Sequence, residues 1–300
     1  MKLAVFTKNR SNPAYDGARV GAERAARHHG VRVLHFVPER PDDALQQIAL
    51  IDEALACRPD AVVMSPVHPT RVDGAIRRIH AANIPIVALV SPVLAVPCVS
   101  FVASDDYRLA NEIARYLFET MCGRGRVLLV GGHEESFTSV RRLRGFRDAA
   151  GGHPRIAFVG TVVGDYIRPT AHANTARWLS ANPDAEIDAC LVANDIMALG
   201  VIDALREAGR RALVVGVNAI PEAIPALESG DLLATADFNA MRMAYLSVEI
   251  AVRHLRGETV PERIHLPVEI VTHENCSQYR CPYEERSVLT LDEVLGVSKC

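Results

Sequence analysis

Residues 1–30 read MKLAVFTKNRSNPAYDGARVGAERAARHHG and contain one complete strand–loop–helix unit. The apolar run Leu3–Phe6 predicts a short buried strand. The loop after it ends in Asn12-Pro13, a pair typical of a turn because proline disfavours helix at the residue before it. From Tyr15, small and apolar residues recur at helical spacing until Gly30, which is placed to end the helix. In an open α/β sheet such a loop lies at the carboxyl ends of the strands, where ligands bind.

The same unit recurs along the rest of the chain. Further strand patterns occupy residues 31–36, 61–64, 86–90, 99–103, 126–130, 156–162, 189–192, 213–216 and 232–236, and helical patterns lie between most of them. One more helix (241–255) and one more strand (264–271) follow, too few for a third domain. This alternation indicates an α/β protein with parallel sheets, and the length fits two domains of about 100–150 residues each.

Composition excludes several classes of protein. A hydrophobic content of 49% with 23% charged residues is typical of a globular chain and not of a disordered one. The formal charge of −3 gives no reason to expect nucleic acid or an anionic membrane as partner. No apolar run approaches the roughly 18–20 residues of a membrane helix. The chain begins on its first strand, so we expect either a cytosolic protein or a mature form whose export signal has been removed.

The seven cysteines leave two alternatives open. Four of them are isolated and are interpreted as small buried hydrophobic residues, namely Cys57, Cys98, Cys122 and Cys190. Three cluster near the C-terminus, and Cys276 and Cys281 either remain thiols or close a small loop in an oxidising compartment. The histidines lie in separate loops without carboxylates at motif spacing, so no metal site and no cofactor are expected.

A set of short motifs runs through residues 2–272. They are Asn12-Pro13, Gly21-Ala22, Ile84–Val87, Ala103–Asp106, Arg142 with Gly145-Phe146, Asn182–Asp184, Ala193–Gly200, Val214–Gly216 and Leu233–Thr235. In this order and near this spacing, the motifs resemble the periplasmic sugar-binding proteins of ABC transporters, which have the type I fold. Their pattern is most similar to the ribose- and galactose-type binders. The effector domains of LacI-type repressors share that fold.

The resemblance implies two Rossmann-like lobes with parallel sheets, joined by a three-crossing hinge. One ligand is expected between the lobes, which close over it. The N-terminal lobe is expected to take residues 1–104 and 238–267, and the C-terminal lobe residues 105–237 and 268–300. The crossings are expected near Ser104–Asp105, Asp237–Phe238 and Pro267.

The resemblance also implies a set of ligand-binding residues. A sugar site needs aromatic faces against the ring and polar groups that satisfy buried hydroxyls. The candidates are Lys8, Asn12, Tyr15, Ser65, Ser91, Arg141, Tyr166, Asn194, Asn218 and Phe238. Asn12 is alternatively a loop cap, Tyr166 a core tyrosine and Phe238 hinge packing. Arg142 is expected to be structural, and Asp195 to cap the helix that begins at Ile196.

Three departures from the family pattern concern the ligand. Val90-Ser91 stands where the family has Asp-Arg, and Lys8 stands where it has a serine. The family's ligand arginine aligns at Val140 or, with a one-residue slip, at Arg141. These changes favour a ligand other than a simple neutral pentose or hexose: an anionic sugar derivative, a smaller polyol or a non-sugar. The alternative is that Lys8 and Arg10 are solvated loop charges.

The resemblance therefore predicts a monomeric solute receptor that delivers a sugar, sugar derivative or polyol to an ABC permease in the membrane, without chemistry. The alternative is a ligand-sensing effector module related to LacI-type regulators or sensor-kinase receptors. Against a repressor, no segment before residues 1–6 offers room for a DNA-binding motif, and the chain is not basic. An enzyme on a doubly wound fold is the third alternative, but the sequence lacks a catalytic constellation.

Overall fold

The structure, a computed structural model, describes residues 1–296. The strands are β1 (Lys2–Phe6), β2 (Arg32–Phe36), β3 (Ala61–Met64), β4 (Ile86–Leu89), β5 (Ser100–Ser104), β6 (Arg124–Gly131), β7 (Arg155–Val163), β8 (Ala189–Val192), β9 (Leu213–Val217), β10 (Ala234–Ala236), β11 (Arg263–Leu266) and β12 (Ile270–Thr272). The helices are α1 (Pro13–His29), α2 (Ala44–Ala56), α3 (Asp73–Ala81), α4 (Asp106–Thr120), α5 (Phe137–Ala149), α6 (Arg168–Ala181), α7 (Asp195–Glu207), α8 (Ile224–Ser229), α9 (Ala240–Leu255) and α10 (Leu291–Val294).

The chain divides into two compact units. Within the described residues, unit 1 comprises Met1–Ser104, Asn239–Leu266 and residues 283–296, and unit 2 comprises Asp105–Phe238 and Pro267–Pro282. The sheet of unit 1 has the order β11-β5-β4-β3-β1-β2 and is entirely parallel. The sheet of unit 2 has the order β12-β10-β9-β8-β6-β7 and is parallel except for β12. The prediction of two α/β lobes with parallel sheets is confirmed.

The last predicted strand, residues 264–271, is in fact two strands that belong to different units. Strand β11 ends at Leu266 beside β5, and β12 begins at Ile270 antiparallel to β10. Pro267 lies between them and lacks the backbone N–H that a continuous ladder would need. An alternating apolar pattern runs across this proline (Ile264, Leu266, Val268 and Ile270) and hides the point where the chain passes from unit 1 to unit 2.

The C-terminal segment differs from the sequence assignment of residues 268–300 to the C-terminal lobe. From Tyr283 the chain packs in unit 1, which adds a fourth connection between the units to the three expected. The Arg24 guanidinium donates to the backbone carbonyl of Tyr283 at 3.2 Å, and the backbone N–H of Leu291 donates to the buried carboxylate of Glu249 at 2.9 Å. Arg253 pairs with Asp292 at 2.7 Å. These long-range contacts have no local sequence signal.

The cysteines are more exposed than the sequence interpretation proposed. Cys190 is buried and Cys98 is half-buried, but Cys57 and Cys122 are exposed, so their interpretation as buried residues is wrong. Cys276 and Cys281 are both free thiols. Cys300 lies outside the described residues. Within residues 1–296, no helix combines the length and the apolar composition that a membrane crossing requires.

Helices α1 and α9 approach each other closely at Gly21, although more than 200 residues separate them in sequence. A Cβ atom at Gly21 would overlap the backbone carbonyl of Met241. The buried face of α1 consists mainly of small residues, which let the two backbones come together: Ala14, Gly17, Ala18, Gly21, Ala22, Ala25 and Ala26. Glycine at position 21 is therefore a packing requirement of unit 1.

We expect Gly21→Ala to lower the free energy of unfolding of unit 1 by about 1–3 kcal/mol, because the added methyl group forces two helix backbones apart. Gly74→Ala in α3 is the matched control, since a Cβ there meets no atom within 4 Å. This control should be neutral or stabilise by up to about 1 kcal/mol. Urea unfolding of both variants measures the difference, and equal stabilities would contradict the packing argument.

Candidate functional site

Parallel topology brings nine of the ten candidate residues to the carboxyl edges of the two sheets. In unit 1, Lys8, Ser65 and Ser91 follow β1, β3 and β4, which are neighbours in the sheet. Asn12 and Tyr15 lie at the start of α1, directly after the first of these loops. The other four, in unit 2, are Tyr166, Asn194, Asn218 and Phe238, which follow β7, β8, β9 and β10. Strands that are far apart in sequence thus contribute to one edge in each unit.

The first loop of unit 1 is fixed mainly by asparagine side chains. Asn12 caps α1, its Oδ1 accepting from the Ala14 N–H at 3.1 Å, and its own N–H donates to Asn9 Oδ1 at 3.0 Å. The capping alternative for Asn12 is therefore part of its role. Lys8 is only 2% exposed, whereas Arg10 is exposed. The interpretation as a solvated loop charge is wrong for Lys8 and holds for Arg10.

Ser65 and Ser91 present buried hydroxyl groups at the carboxyl edge of unit 1. The backbone of Ser65 is fully engaged, because its N–H donates to Phe6 O and its carbonyl accepts from Gln47 Nε2, at 3.1 and 3.0 Å. Neither serine Oγ has a hydrogen-bond partner among the described residues. A buried hydroxyl without a partner is costly, so both groups are suited to bind a polar ligand.

The backbone at Val90 is strained directly before Ser91. Val90 has φ of 66°, and the Ser91 N–H donates to the Leu89 carbonyl at 2.7 Å, which closes a three-residue turn. A β-branched residue with this φ is a genuine outlier, and the γ-turn with positive φ is rare. Such strain persists only where surrounding structure enforces it and occurs preferentially at functional sites. The strained turn at Val90 therefore fixes the backbone position from which the Ser91 side chain extends.

Only the oxygen of the Asn194 side-chain amide forms a hydrogen bond among the described residues of unit 2. Its Oδ1 accepts from the Met197 N–H at 3.1 Å and caps α7, while its buried Nδ2 has no partner in the described part of the chain. The expectation that Asp195 caps this helix is wrong. Asp195 is fully buried and accepts instead from the Thr235 hydroxyl at 2.6 Å and the Ile220 N–H at 3.1 Å. The cap falls one residue earlier because α7 begins at Asp195 and not at Ile196.

The arginine that reaches the carboxyl edge of unit 2 is Arg142, not the candidate Arg141. Arg141 pairs with Asp105 at 3.2 Å, and its side chain is 39% exposed. Arg142 is buried and donates to Asp106 at 2.8 Å, to the carbonyl of Ala193 at 2.6 Å and to Asn218 Oδ1 at 3.3 Å. Its guanidinium also lies 4.7 Å from the centre of the Phe238 ring.

Arg142 therefore positions three candidate segments of unit 2, namely the loops that follow β8, β9 and β10. The interpretation of Arg142 as structural agrees with these contacts, but its contacts with the candidates themselves were not predicted. The signal was the Arg142-x-x-Gly145-Phe146 motif, in which Gly145 leaves no space for a Cβ beside the carbonyl of Tyr107. Because α5 packs this closely on α4, the Arg142 side chain, which lies on α5, is buried.

Tyr166 is held against Gly132 at the same edge. Its ring occupies the space that a side chain on Gly132 would need, and its φ of 60° is unusual for an aromatic residue. Asn218, with φ of 127°, is a second strained residue at this edge. Gly132 thus makes room for the tyrosine, whereas a Cβ atom on Gly131 would meet Leu143 instead. No group of three or more metal-ligating side chains occurs within residues 1–296.

We expect Arg142→Met to lower the free energy of unfolding by about 3–5 kcal/mol, because it leaves the Asp106 carboxylate buried without its ion-pair partner. Arg144→Met is the matched control on the same helix. Arg144 forms an exposed pair with Asp148, so this change should stay within about 0.5 kcal/mol. Guanidinium unfolding compares the two. A loss below about 1 kcal/mol for Arg142→Met would contradict the positioning role.

The buried carboxyl of Asp195 should make stability depend on pH. Burial raises the pKa of Asp195 from 3.8 to about 6, against hydrogen bonds from Thr235 and Ile220 that lower it. The folded protein therefore holds this proton more tightly than the unfolded chain. Asp195 contributes stability that is fully present below a pH of about 4 and is lost as the pH rises through about 6.

Unfolding of wild type and Asp195→Asn between pH 4 and pH 7 tests this dependence. The stability of wild type relative to Asp195→Asn should fall over that range by up to about 3 kcal/mol. Both proteins contain the other titrating groups, so the contributions of those groups drop out of the difference in unfolding free energy. A difference that stays constant, or that grows in favour of wild type with rising pH, would show that burial does not control this carboxyl.

Comparisons with known proteins agree with this architecture. An ABC transporter periplasmic solute binding protein from Actinobacillus succinogenes with bound D-allose has a TM-score of 0.86 and 25% identity, covering 93% of this chain and 99% of that chain. An ABC transporter solute binding protein from Mycobacterium smegmatis with bound glycerol has a TM-score of 0.85 and 26% identity, covering 92% and 96%. A D-ribose/D-allose-binding protein from Pseudomonas aeruginosa is 27% identical over 292 residues, which cover 90% of this chain and 88% of that protein.

A family model confirms the resemblance predicted from the sequence motifs. The model described as the periplasmic binding protein domain matches residues 3–259, which is most of the chain. The match spans unit 2 through β10 and most of unit 1, so it does not depend on one motif or one lobe. The chain therefore belongs to the periplasmic binding protein domain family.

Proposed function

We propose that this protein is the solute-binding receptor of an ABC importer and that its ligand is a small polar molecule: a sugar, a sugar derivative or a polyol. It acts in the periplasm as a monomer and delivers the ligand to a permease in the membrane. The observation that carries the proposal is the row of buried polar side chains at the carboxyl edge of each parallel sheet. The names of the relatives, which bind ribose, allose or glycerol, support the ligand class.

The chemistry of these edges suits a polyhydroxylated ligand. The Asn194 amide nitrogen and the Ser65 and Ser91 hydroxyls are buried groups without partners among the described residues, and ligand hydroxyls would satisfy them. Tyr15 and Tyr166 are buried aromatic residues at the same edges and would pack against the apolar faces of a ring. Lys8, Asn12, Asn218 and Phe238 remain proposed contacts, whereas Arg141 is now the weakest candidate.

A binding role is favoured over a catalytic one by the state of the carboxylates in unit 2. Asp106, Asp195 and Asp237 each accept a hydrogen bond from a protein side chain: from Arg142, Thr235 and Tyr279. Acid–base catalysis needs such groups aimed at a substrate. The regulator alternative has no observation in its favour. We therefore propose no second function.

A thermal-shift screen tests the proposed function. Neutral sugars, polyols, sugar acids and sugar phosphates at millimolar concentration form the panel. A ligand at about 100 times its Kd stabilises the folded state by about 2.7 kcal/mol, so at least one member should raise the melting temperature by several degrees. A panel in which no compound shifts the transition would contradict a receptor for this ligand class.

Asn194→Ser serves as the binding-site variant in the same screen. A serine hydroxyl can still cap α7, whereas the amide donor is lost. We expect an unchanged melting temperature without ligand and a much smaller shift with ligand. Asn182→Ser is the matched control, because the Asn182 amide donates to the Trp178 carbonyl at the far end of α6. Equal ligand shifts in both variants would remove Asn194 from the site.

A further inference from the structure

A glutamine lies on the buried face of α2 among apolar residues. Gln47 is 0% exposed, and the other buried residues of this helix, Ile51 and Ala54, follow it by about one and two turns. A buried side-chain amide is costly unless its donor and its acceptor both find partners. The partners of Gln47 therefore show what this polar residue does in an apolar core.

Both ends of the Gln47 amide bind the backbone of the loop that follows β3. Its Nε2 donates to the Ser65 carbonyl at 3.0 Å, and its Oε1 accepts from the Val67 N–H at 3.0 Å. Pro66, between these two residues, has no N–H that needs a partner. Gln47 thus bridges the residues on either side of Pro66.

Ser65 is held from a second side by β1. Its N–H donates to the Phe6 carbonyl at 3.1 Å, and its carbonyl is bound by Gln47, so both backbone polar groups of Ser65 have partners. The Ser65 Oγ is buried and has no hydrogen-bond partner in the part of the chain that the structure describes. The backbone of Ser65 is therefore fixed, while its hydroxyl is available to bind another group.

Val67 fixes the other end of the bridged segment. Its side chain is 3% exposed and belongs to the hydrophobic core of unit 1, together with Ile51 of α2 and Ile76 of α3. Loss of the Gln47 amide would leave the Val67 N–H in this core without the acceptor that it has now. A buried donor without an acceptor is strongly unfavourable, so the loop would shift to find another partner.

We infer that Gln47 is a positioning residue of the ligand site: it fixes the place of the Ser65 hydroxyl and thereby raises the affinity for the ligand. Both ends of its own amide are bound to protein backbone, so it acts through Ser65 and not by contact with the ligand. A hydroxyl that is held in place before binding gives up less conformational freedom when the ligand arrives. This inference rests on the proposed receptor function, in which Ser65 binds a ligand hydroxyl.

Isothermal titration calorimetry on a double-mutant cycle tests the inference. The proteins are wild type, Gln47→Met, Ser65→Ala and the double variant, and the compounds are D-ribose, D-allose, glycerol, D-glucuronate and D-ribose 5-phosphate. Gln47→Met keeps the length of the side chain and removes both hydrogen bonds to the loop. For a compound that wild type binds, each single variant should lower the affinity about 2- to 10-fold, the range expected for one hydrogen bond.

The double variant separates positioning from a general structural role. If Gln47 acts through the Ser65 hydroxyl, Gln47→Met should lower the affinity by less than about 2-fold once Ser65 is replaced by alanine, because the effects of residues in one network do not add. Two losses of affinity that multiply would show that Gln47 acts independently of Ser65 and would overturn the inference.

Gln46→Met is the matched control on the same helix. The Gln46 Oε1 accepts from the Arg40 N–H at 3.0 Å in an exposed contact, so this change should leave the affinity unchanged. Without ligand, the Val67 N–H should exchange with solvent faster in Gln47→Met than in wild type, relative to the amides of β1, and at the wild-type rate in Gln46→Met. An unchanged exchange rate of Val67 in Gln47→Met would show that Gln47 does not hold this loop.

Gln47→Asn is the milder variant if Gln47→Met fails to fold, because it keeps the amide on a side chain that is one methylene shorter. It should also lower the affinity, and again only while Ser65 is present. Gln47 variants that bind as tightly as wild type would overturn this inference and leave the receptor function standing. Failure of wild type to bind any of the five compounds would overturn both.

Discussion

The contact of α1 with α9 is the constraint on which unit 1 depends. Strand β1 and α1 come from the start of the chain, whereas α9 and the edge strand β11 come from residues beyond 239. The two helices meet where Gly21 faces the carbonyl of Met241, and no residue with a side chain fits there without displacement of backbone. The C-terminal segment then packs on the same pair through Arg24 and Glu249. One glycine thus allows three distant parts of the chain to form one core.

The carboxyl edges acquire their chemistry from a second constraint. Strands in a parallel sheet are buried on both faces, so polar side chains can collect only in the loops at the strand ends. In unit 2 a single buried guanidinium, that of Arg142, links the loops after β8, β9 and β10. In unit 1 the corresponding loops carry hydroxyls and an ammonium group. The two edges are therefore built differently: one is organised by an internal ion pair and the other by loop composition.

Much of this could be predicted from the sequence, because buried strands and helix faces repeat the same apolar pattern through the whole chain. The place of the loops followed from that topology and the candidate residues from the family resemblance, and nine of the ten candidates lie at an edge. The family alignment allowed Val140 or Arg141 for the ligand arginine, and it missed the contacts of Arg142 because one position on a helix turns a side chain by about 100°. The burial of Lys8 and the packing of the chain from Tyr283 depend on distant contacts that leave no local pattern. The break between β11 and β12 was hidden because apolar residues alternate with other residues on both sides of Pro267.

The split composition of unit 1 has a consequence for synthesis on the ribosome. Gly21 is translated roughly 220 residues before Met241, and at about 5–20 residues per second this corresponds to some 10–40 s during which α1 lacks its partner. Over the same interval unit 2 emerges as one continuous stretch, residues 105–238, that lacks only residues 267–282 with the edge strand β12. The unit that is made first is therefore the one that must wait for an internal helix. The small-residue face of α1 is therefore the surface of unit 1 that stays exposed for the longest time during synthesis.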